Sequence, residues 1–250
     1  DYDRDKGFVE GSVNLKWETK TMTQDRGRQF TFDENEVNET NFVVTAAQVM
    51  GEFQRTKVIP EIDAYRYSKI ASLCIDKDRA GYEYTPTESD ILQKLYYDIA
   101  AVQDVVGEDT PLVITMARPV AAIFDMSSTL SKSLSVMDFK QGDVTVKVKS
   151  LNGEFPIIRV GSGRMKTSYQ FYDGTTSTQE KGGFAAAEDA KDINWIISPR
   201  TAPIAVSRTD KVRIFDPETY QKKRAWATDY RKYHDLWVPD NKLTAMWVNI

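Results

Sequence analysis

The stretch NLKWETKTMTQDRGRQFTFDENEVNET at 14–40, followed at 52–71 by EFQRTKVIPEIDAYRYSKIA, decides how the whole chain is read. Val13, Leu15 and Trp17 alternate with polar residues, Thr19 and Thr21 continue the pattern, and Phe30 and Phe32 follow a polar stretch, Gln24-Asp25-Arg26-Gly27. Period-two alternation on both sides of a glycine-bearing polar stretch predicts a long β-hairpin. Arms of about 10 residues would reach roughly 30 Å, yet a two-stranded ribbon is only marginally stable alone in water. Such a ribbon must lie on another surface. From Phe42 the period lengthens, with Phe42, Ala46, Val49, Met50 and Phe53 on one helical stripe. Ile62, Tyr65, Lys69 and Leu73 resume a stripe after Pro60, so the proline either kinks one helix or opens a second at its first turn. The two pieces together approach about 50 Å, which is long for a small domain.

Outward from this segment the elements alternate in type. Thr85-Pro86-Thr87-Glu88 has the form of a helix start, Ile91, Leu92, Leu95, Ile99, Val102 and Val106 supply its apolar face, and Gly107 is placed to end it. PLVITM from Pro111 predicts a buried strand, and 117–130, with Pro119 near its first turn, a further helix. Val144, Val146 and Val148 alternate with polar neighbours before Asn152-Gly153, which predicts a hairpin into Phe155, Ile157 and Val160. The run DGTTSTQEKGG at 173–183 has no periodicity and is expected to be a loop. INWIISP, PIAV, KVRIF and an aromatic stretch from Ala225 to Val238 read as strands, and Pro239-Asp240-Asn241-Lys242 as a turn into LTAMWVNI. The fold class is α+β.

The 250 residues carry 33 basic and 37 acidic side chains, 41% hydrophobic residues and one cysteine, Cys74. That composition suits a folded chain with a substantial core, and one thiol excludes a disulfide framework or a cysteine zinc site. One histidine, His234, excludes multi-histidine metal sites. No run of about 18 apolar residues is present to span a bilayer and no leader opens the chain, so a cytosolic protein is expected. The chain starts at Asp1, and a preceding N-terminal segment is expected to be missing. Charge is uneven: 200–250 holds 10 basic and 6 acidic side chains, leaving 23 basic and 31 acidic elsewhere. The asymmetry suggests complementary surfaces.

Candidate chemistry is sparse. VGSGRM around Gly161 and Gly163 lacks the third glycine and following helix of a phosphate loop. His234-Asp235, with Asp229 nearby, invites a general-base reading, but no nucleophile elbow accompanies it. Glu61 and Asp63 could form a carboxylate pair, although acids beside bases on a helix are more often surface or paired. KKRAWATDYRKYHD interleaves cations with aromatics, as in single-strand binding grooves, but on a strand Arg231 and Lys232 would face opposite sides. A neighbouring acidic subunit is the better partner. No catalytic, cofactor or metal site is expected. The long ribbon, the long helix and the α+β block between outer elements suggest a tile whose head-to-tail contacts close into rings and shells.

These residues resemble a known family. The segments 14–40 and 52–71 are similar to the extended loop and spine helix of tailed-bacteriophage major capsid proteins with the Hong Kong ninety-seven type fold. MKTSYQFYDGTTS at 165–177, and 191–238 from KDINWIISPR onward, resemble later segments of the same proteins. The resemblance runs from about Phe8 to Val248. It implies an N-terminal segment and extended loop over 1–40, a peripheral-domain spine helix over 41–84, an axial domain over 85–200 and a returning peripheral-domain sheet over 201–250. It further implies pentamers and hexamers of an icosahedral shell enclosing double-stranded DNA in a virion assembled in the host cytoplasm, with scaffold, portal and decoration proteins as possible partners. Trp17, Arg26, Arg28 and Phe30 would then be subunit contacts, and Arg224, Arg231 and Lys232 would meet carboxylates such as Glu34, Glu36 and Glu39 of other copies. In some members an isopeptide bond welds the shell, for which only Lys16 or Lys20 with Asn241 or Asn249 offer the residue types. The rival readings are an encapsulin-like compartment holding a cargo enzyme, an enzyme using His234, and a single-strand binding module.

Overall fold

A computed structural model describes residues 4, 8, 12–34, 39–127, 134–141 and 143–250. The central feature is one helical rod made of three consecutive pieces: α1 (Glu39–Phe53), a π turn (Gln54–Val58) and α2 (Ile59–Ile75). Pro60 stands in the first turn of α2 and has no N–H to give the preceding turn. The widened turn before it accommodates this loss, with the Ile59 N–H reaching the Gln54 carbonyl five residues back. Pro60 thus stands in the first turn of α2, the second of its two expected places, while the helical path runs on through the π turn. The side chain of Phe42 lies outside the described residues, while Ala46 and Met50 of the same stripe are buried.

The largest sheet has seven strands in the order β2-β12-β9-β3-β6-β5-β4. These are β2 (Ala80–Gly81), β3 (Leu112–Ala117), β4 (Leu134–Gln141), β5 (Val144–Leu151), β6 (Phe155–Val160), β9 (Trp195–Pro199) and β12 (Trp247–Asn249). Every residue of β3 is buried, as its continuous apolar run requires at the centre of a sheet. β3 pairs parallel to β6 and antiparallel to β9. Helices α3 (Ile91–Val106) and α4 (Arg118–Met126) supply Leu95, Ile99, Val102 and Phe124 to its core, and α2 adds Ile70, Ala71 and Cys74. Burying an aliphatic side chain of this size stabilises by roughly 1.5–3 kcal/mol. Asp98 is buried in the same core, where it accepts from the Trp195 Nε1–H, from Asn249 Nδ2 and from Lys94. Three donors satisfy a charge that would otherwise be costly there.

A second sheet has three antiparallel strands in the order β1-β11-β10: β1 (Gln24–Asp33), β10 (Ile204–Phe215) and β11 (Ala225–Trp237). It packs on the rod through an edge-to-face contact of Phe30 with Phe53, ring centroids 5.1 Å apart. A third, two-stranded piece, β7 (Tyr169–Tyr172) with β8 (Gly183–Ala186), leans on α2 through Phe171 and Tyr65.

Several expectations are corrected here. Residues 13–32 form no local hairpin: 12–23 carry no regular secondary structure, and the polar stretch 24–27 lies inside β1, paired along its length with β11. Gly27 permits close approach instead of a turn, because a Cβ there would sit 3.0 Å from the Tyr230 carbonyl oxygen. The helix starts at Ile91, beyond Thr85-Pro86-Thr87-Glu88, and Asp90 Oδ1 accepts both the N–H and the hydroxyl of Thr87 in the turn that leads into it. α4 ends at Met126 rather than Leu130, and 128–133 lie outside the described residues. PIAV and KVRIF merge into β10 across a register shift between Ser207 and Thr209. The turn at 239–242 becomes a 3-10 helix, Asp240–Ala245, so that only Trp247–Asn249 of the expected last strand is extended. The strand β4 has no counterpart in the sequence reading. The hairpin at Asn152-Gly153 is present, both residues having positive φ, and 173–182 is the loop joining β7 to β8.

Gly107 ends α3 at φ 87° and ψ 155°, a region that only glycine occupies without strain. We expect Gly107→Ala to lower stability by about 1–3 kcal/mol in chemical denaturation, without changing the circular dichroism of the native state.

Candidate assembly interface

The segment before β1 is fastened to the body through Asp235 and then through Asp240. Asp235, fully buried near the end of β11, accepts from the Thr23 N–H at 3.0 Å, the Thr23 hydroxyl at 3.2 Å, the Tyr65 hydroxyl at 2.7 Å and its neighbour's Leu236 N–H, and is paired with Lys69. Burial works against the carboxylate, but Lys69 and Tyr65 outweigh it and hold the carboxyl below its ordinary range. N-terminal to this anchor, Lys20 reaches Asp240 at 3.1 Å and the Asp240 N–H reaches Glu18. Val13, Leu15 and Trp17 are 98, 83 and 87% exposed. Isolated exposed apolar residues are ordinary, whereas three alternating on one extended segment mark a surface prepared for a partner.

The other residues singled out by sequence are mostly occupied within the chain. Arg26 grips Glu61 with two nitrogens, at 2.6 and 3.2 Å. Arg231 makes the same kind of bidentate pair with Asp25, Lys232 reaches Asp210 at 2.5 Å, and Arg224 stands 4.0 Å from Glu34. Phe30 packs on Phe53 and is half-buried. Glu36 and the side chain of Glu39 lie outside the described residues. Of the basic residues of 200–250, Arg213, Arg224, Arg231 and Lys232 meet carboxylates of the same chain, and Arg26, Phe30, Arg231 and Lys232 brace the three-stranded sheet within one copy. Trp17 and Arg28 stay exposed, and Arg28 has no ion-pair or hydrogen-bond partner among the described residues. Arg231 and Lys232 do face opposite sides of β11, since they are successive residues of one regular strand. No continuous basic groove runs along that strand.

The enzymatic candidates are accounted for in the same way. His234 is buried with its Nδ1 unpartnered, and Asp235 is saturated by other donors, so the two form no relay. Glu61 is held by Arg26, and Asp63 by Arg164 at 2.7 Å. That second pair holds the 3-10 turn Ser162–Arg164, which contains Gly163 and follows Gly161, against the rod. No group of three or more metal-binding side chains occurs among the described residues, and no helix among them is long and apolar enough to cross a membrane. The Tyr65-Lys69-Asp235-Thr23 node escaped sequence reading because its members lie up to 212 residues apart. The i, i+4 spacing of Tyr65 and Lys69 was its one local trace.

No family model and no curated protein matches the chain. Solved structures do. A virus-like particle from Pyrococcus furiosus is 12% identical, with 97% of this chain and 82% of that one covered and a TM-score of 0.54. The capsid of Cyanophage P-SCSP1u is 9% identical over 98% and 80%, with a TM-score of 0.55. The mature capsid of bacteriophage PhiM1 is 10% identical over 97% and 78%, with a TM-score of 0.53. The chain has the α+β fold of shell-forming proteins. In particular, it has the Hong Kong ninety-seven type fold of phage major capsid proteins.

His234 gives a test of the buried sheet. Burial, then Arg66 and Lys232, lower its pKa to about 4. A base whose folded pKa lies below its unfolded value of about 6.5 leaves stability intact above pH 6.5 and removes it as pH falls toward 4. We expect this group to cost about 3 kcal/mol between pH 7 and pH 4. Denaturant titrations at both pH values should show that component absent in His234→Leu.

Proposed function

We propose that the chain is the major capsid protein of a tailed bacteriophage, a structural subunit whose copies assemble into pentamers and hexamers of an icosahedral shell around double-stranded DNA. The observation that carries the reading is the extended arm at 12–19, which presents Val13, Leu15 and Trp17 to solvent on a chain with a shell-forming fold. An arm of that kind gains a buried surface only on another copy, and a head-to-tail contact repeated by rotation closes a ring. Rod and three-stranded sheet form the peripheral part in this reading, and the seven-stranded sheet with α3 and α4 forms the axial part. The role is structural and not enzymatic, the place of action is the virion, and scaffold or portal proteins are its further partners. A net charge of −4 suits a wall that must not trap the duplex. The likeness to a virus-like particle supports a second reading, a compartment enclosing protein.

Negative-stain microscopy with light scattering of the purified chain should show closed particles or rings of five and six, and nucleic acid rather than a protein cargo in particles isolated from a producing cell. A chain that stays monomeric would overturn the shell reading, and particles holding protein would favour the compartment. Trp17→Ser combined with Leu15→Ser should abolish particles while shifting monomer stability by no more than about 0.5 kcal/mol, because neither side chain is buried in the monomer.

A further inference from the structure

Between β1, the π turn of the rod and the loop joining β7 to β8 lies a cleft of about 450 Å³. Its floor is apolar, with Phe30, Phe53, Ile62 and Tyr230. Its charged rim is unbalanced once the ion pairs of the chain are assigned. Glu61 is taken by Arg26, Asp25 by Arg231, and Lys232 by Asp210. Asp173 accepts from the N–H groups of Thr175 and Thr176 and from the Thr176 hydroxyl. Those donors are neutral, so Asp173 keeps its charge, and against it stands one cation from each wall, a net excess of two: Arg28 on β1, Lys57 on the π turn and Lys181 on the loop. All three are exposed and without a hydrogen bond or ion pair among the described residues.

The chain carries a feature of opposite character at the far end of α3. Asp104, Glu108 and Asp109 are exposed there with no cation paired to them among the described residues, and Val105 between them is 49% exposed. Three acids at a helix C-terminus oppose the helix dipole, so local stability does not explain them. They form an acidic knob with an apolar tip, facing in chemistry a basic cleft with an apolar floor. No ion pair joins the two within one chain. We propose that the cleft receives the 104–109 knob of a second copy, as a heterologous contact that rests on the shell-subunit reading and names one of its interfaces. Three acids against a rim with a net excess of cations supply the register, and Val105 against the aromatic floor supplies the apolar burial.

Two measurements test this. The first needs no assembly: a fluorescent peptide of residues 103–110, QDVVGEDT, is titrated into the unassembled full chain, beside its neutral analogue QNVVGQNT and the other acidic run of the chain, DENEVNE from 33–39. We expect saturable binding of QDVVGEDT alone, weakened by salt and reduced about tenfold or more by Arg28→Glu with Lys181→Glu. Equal binding of the neutral peptide, or no binding, overturns the proposal, and binding of DENEVNE instead overturns the knob as occupant. The second is a charge exchange read by microscopy: Arg28→Glu with Lys181→Glu should prevent particles, and adding Glu108→Lys with Asp109→Lys should restore them. Particles unaffected by the first pair, or unrestored by the second, also overturn it. Absence of particles from the unmodified chain counts against the shell reading alone, since the peptide titration still decides whether the cleft takes the knob.

Discussion

A single buried carboxylate joins the pieces of this molecule that assembly would load. Asp235 belongs to β11, yet its donors come from the rod and from the segment that leads out to the exposed arm. An unpaired carboxylate at full burial would be prohibitively costly, so the donors are obligatory and not ornamental. A pull on the arm is thereby transmitted to the longest helix and to the central strand of the three-stranded sheet. The arm can be unsupported along its length because its root is not.

The cross-strand ion pairs of that sheet do a related job. Arg231 with Asp25 and Arg213 with Asp229 lie on one face, and Lys232 with Asp210 on the other. Exposed pairs of this kind contribute little each. They do fix register, since a slip of one residue would exchange the faces and set like charges together. The sheet is short of strands and long in reach, which makes register its main vulnerability.

Much of the layout was legible in sequence because it rests on local periodicity. The all-apolar run of β3, the stripe of α3 ended by Gly107, and the Asn152-Gly153 hairpin each depend on neighbours in the chain. Residues 13–32 misled because period two reports a strand without naming its partner: β1 is a strand, but it pairs some 200 residues away with β11. The charge asymmetry was equally real and equally silent about whether its complement lies in the same copy or another. Arg26 and Arg231 found theirs at home, and Arg28 did not. The Asp235 node could not have been assembled from spacing, since only Tyr65 and Lys69 share an element.

The π turn also sets a phase. One extra residue in a revolution turns everything beyond it by about 100° relative to an unbroken helix. Ala46 and Met50 before the turn, and Ala64, Ser68 and Ala71 after it, would fall on one line in an ideal helix. The first half of the rod meets the three-stranded sheet through Phe53, while the second half meets it through Glu61, Tyr65 and Lys69 and also puts Ile70, Ala71 and Cys74 into the core of the seven-stranded one. The inserted residue thus works as a rotary offset that lets one shaft serve two bodies. A one-residue deletion between Gln54 and Val58 would leave composition and hydropathy unchanged in kind and still set the two bodies out of alignment.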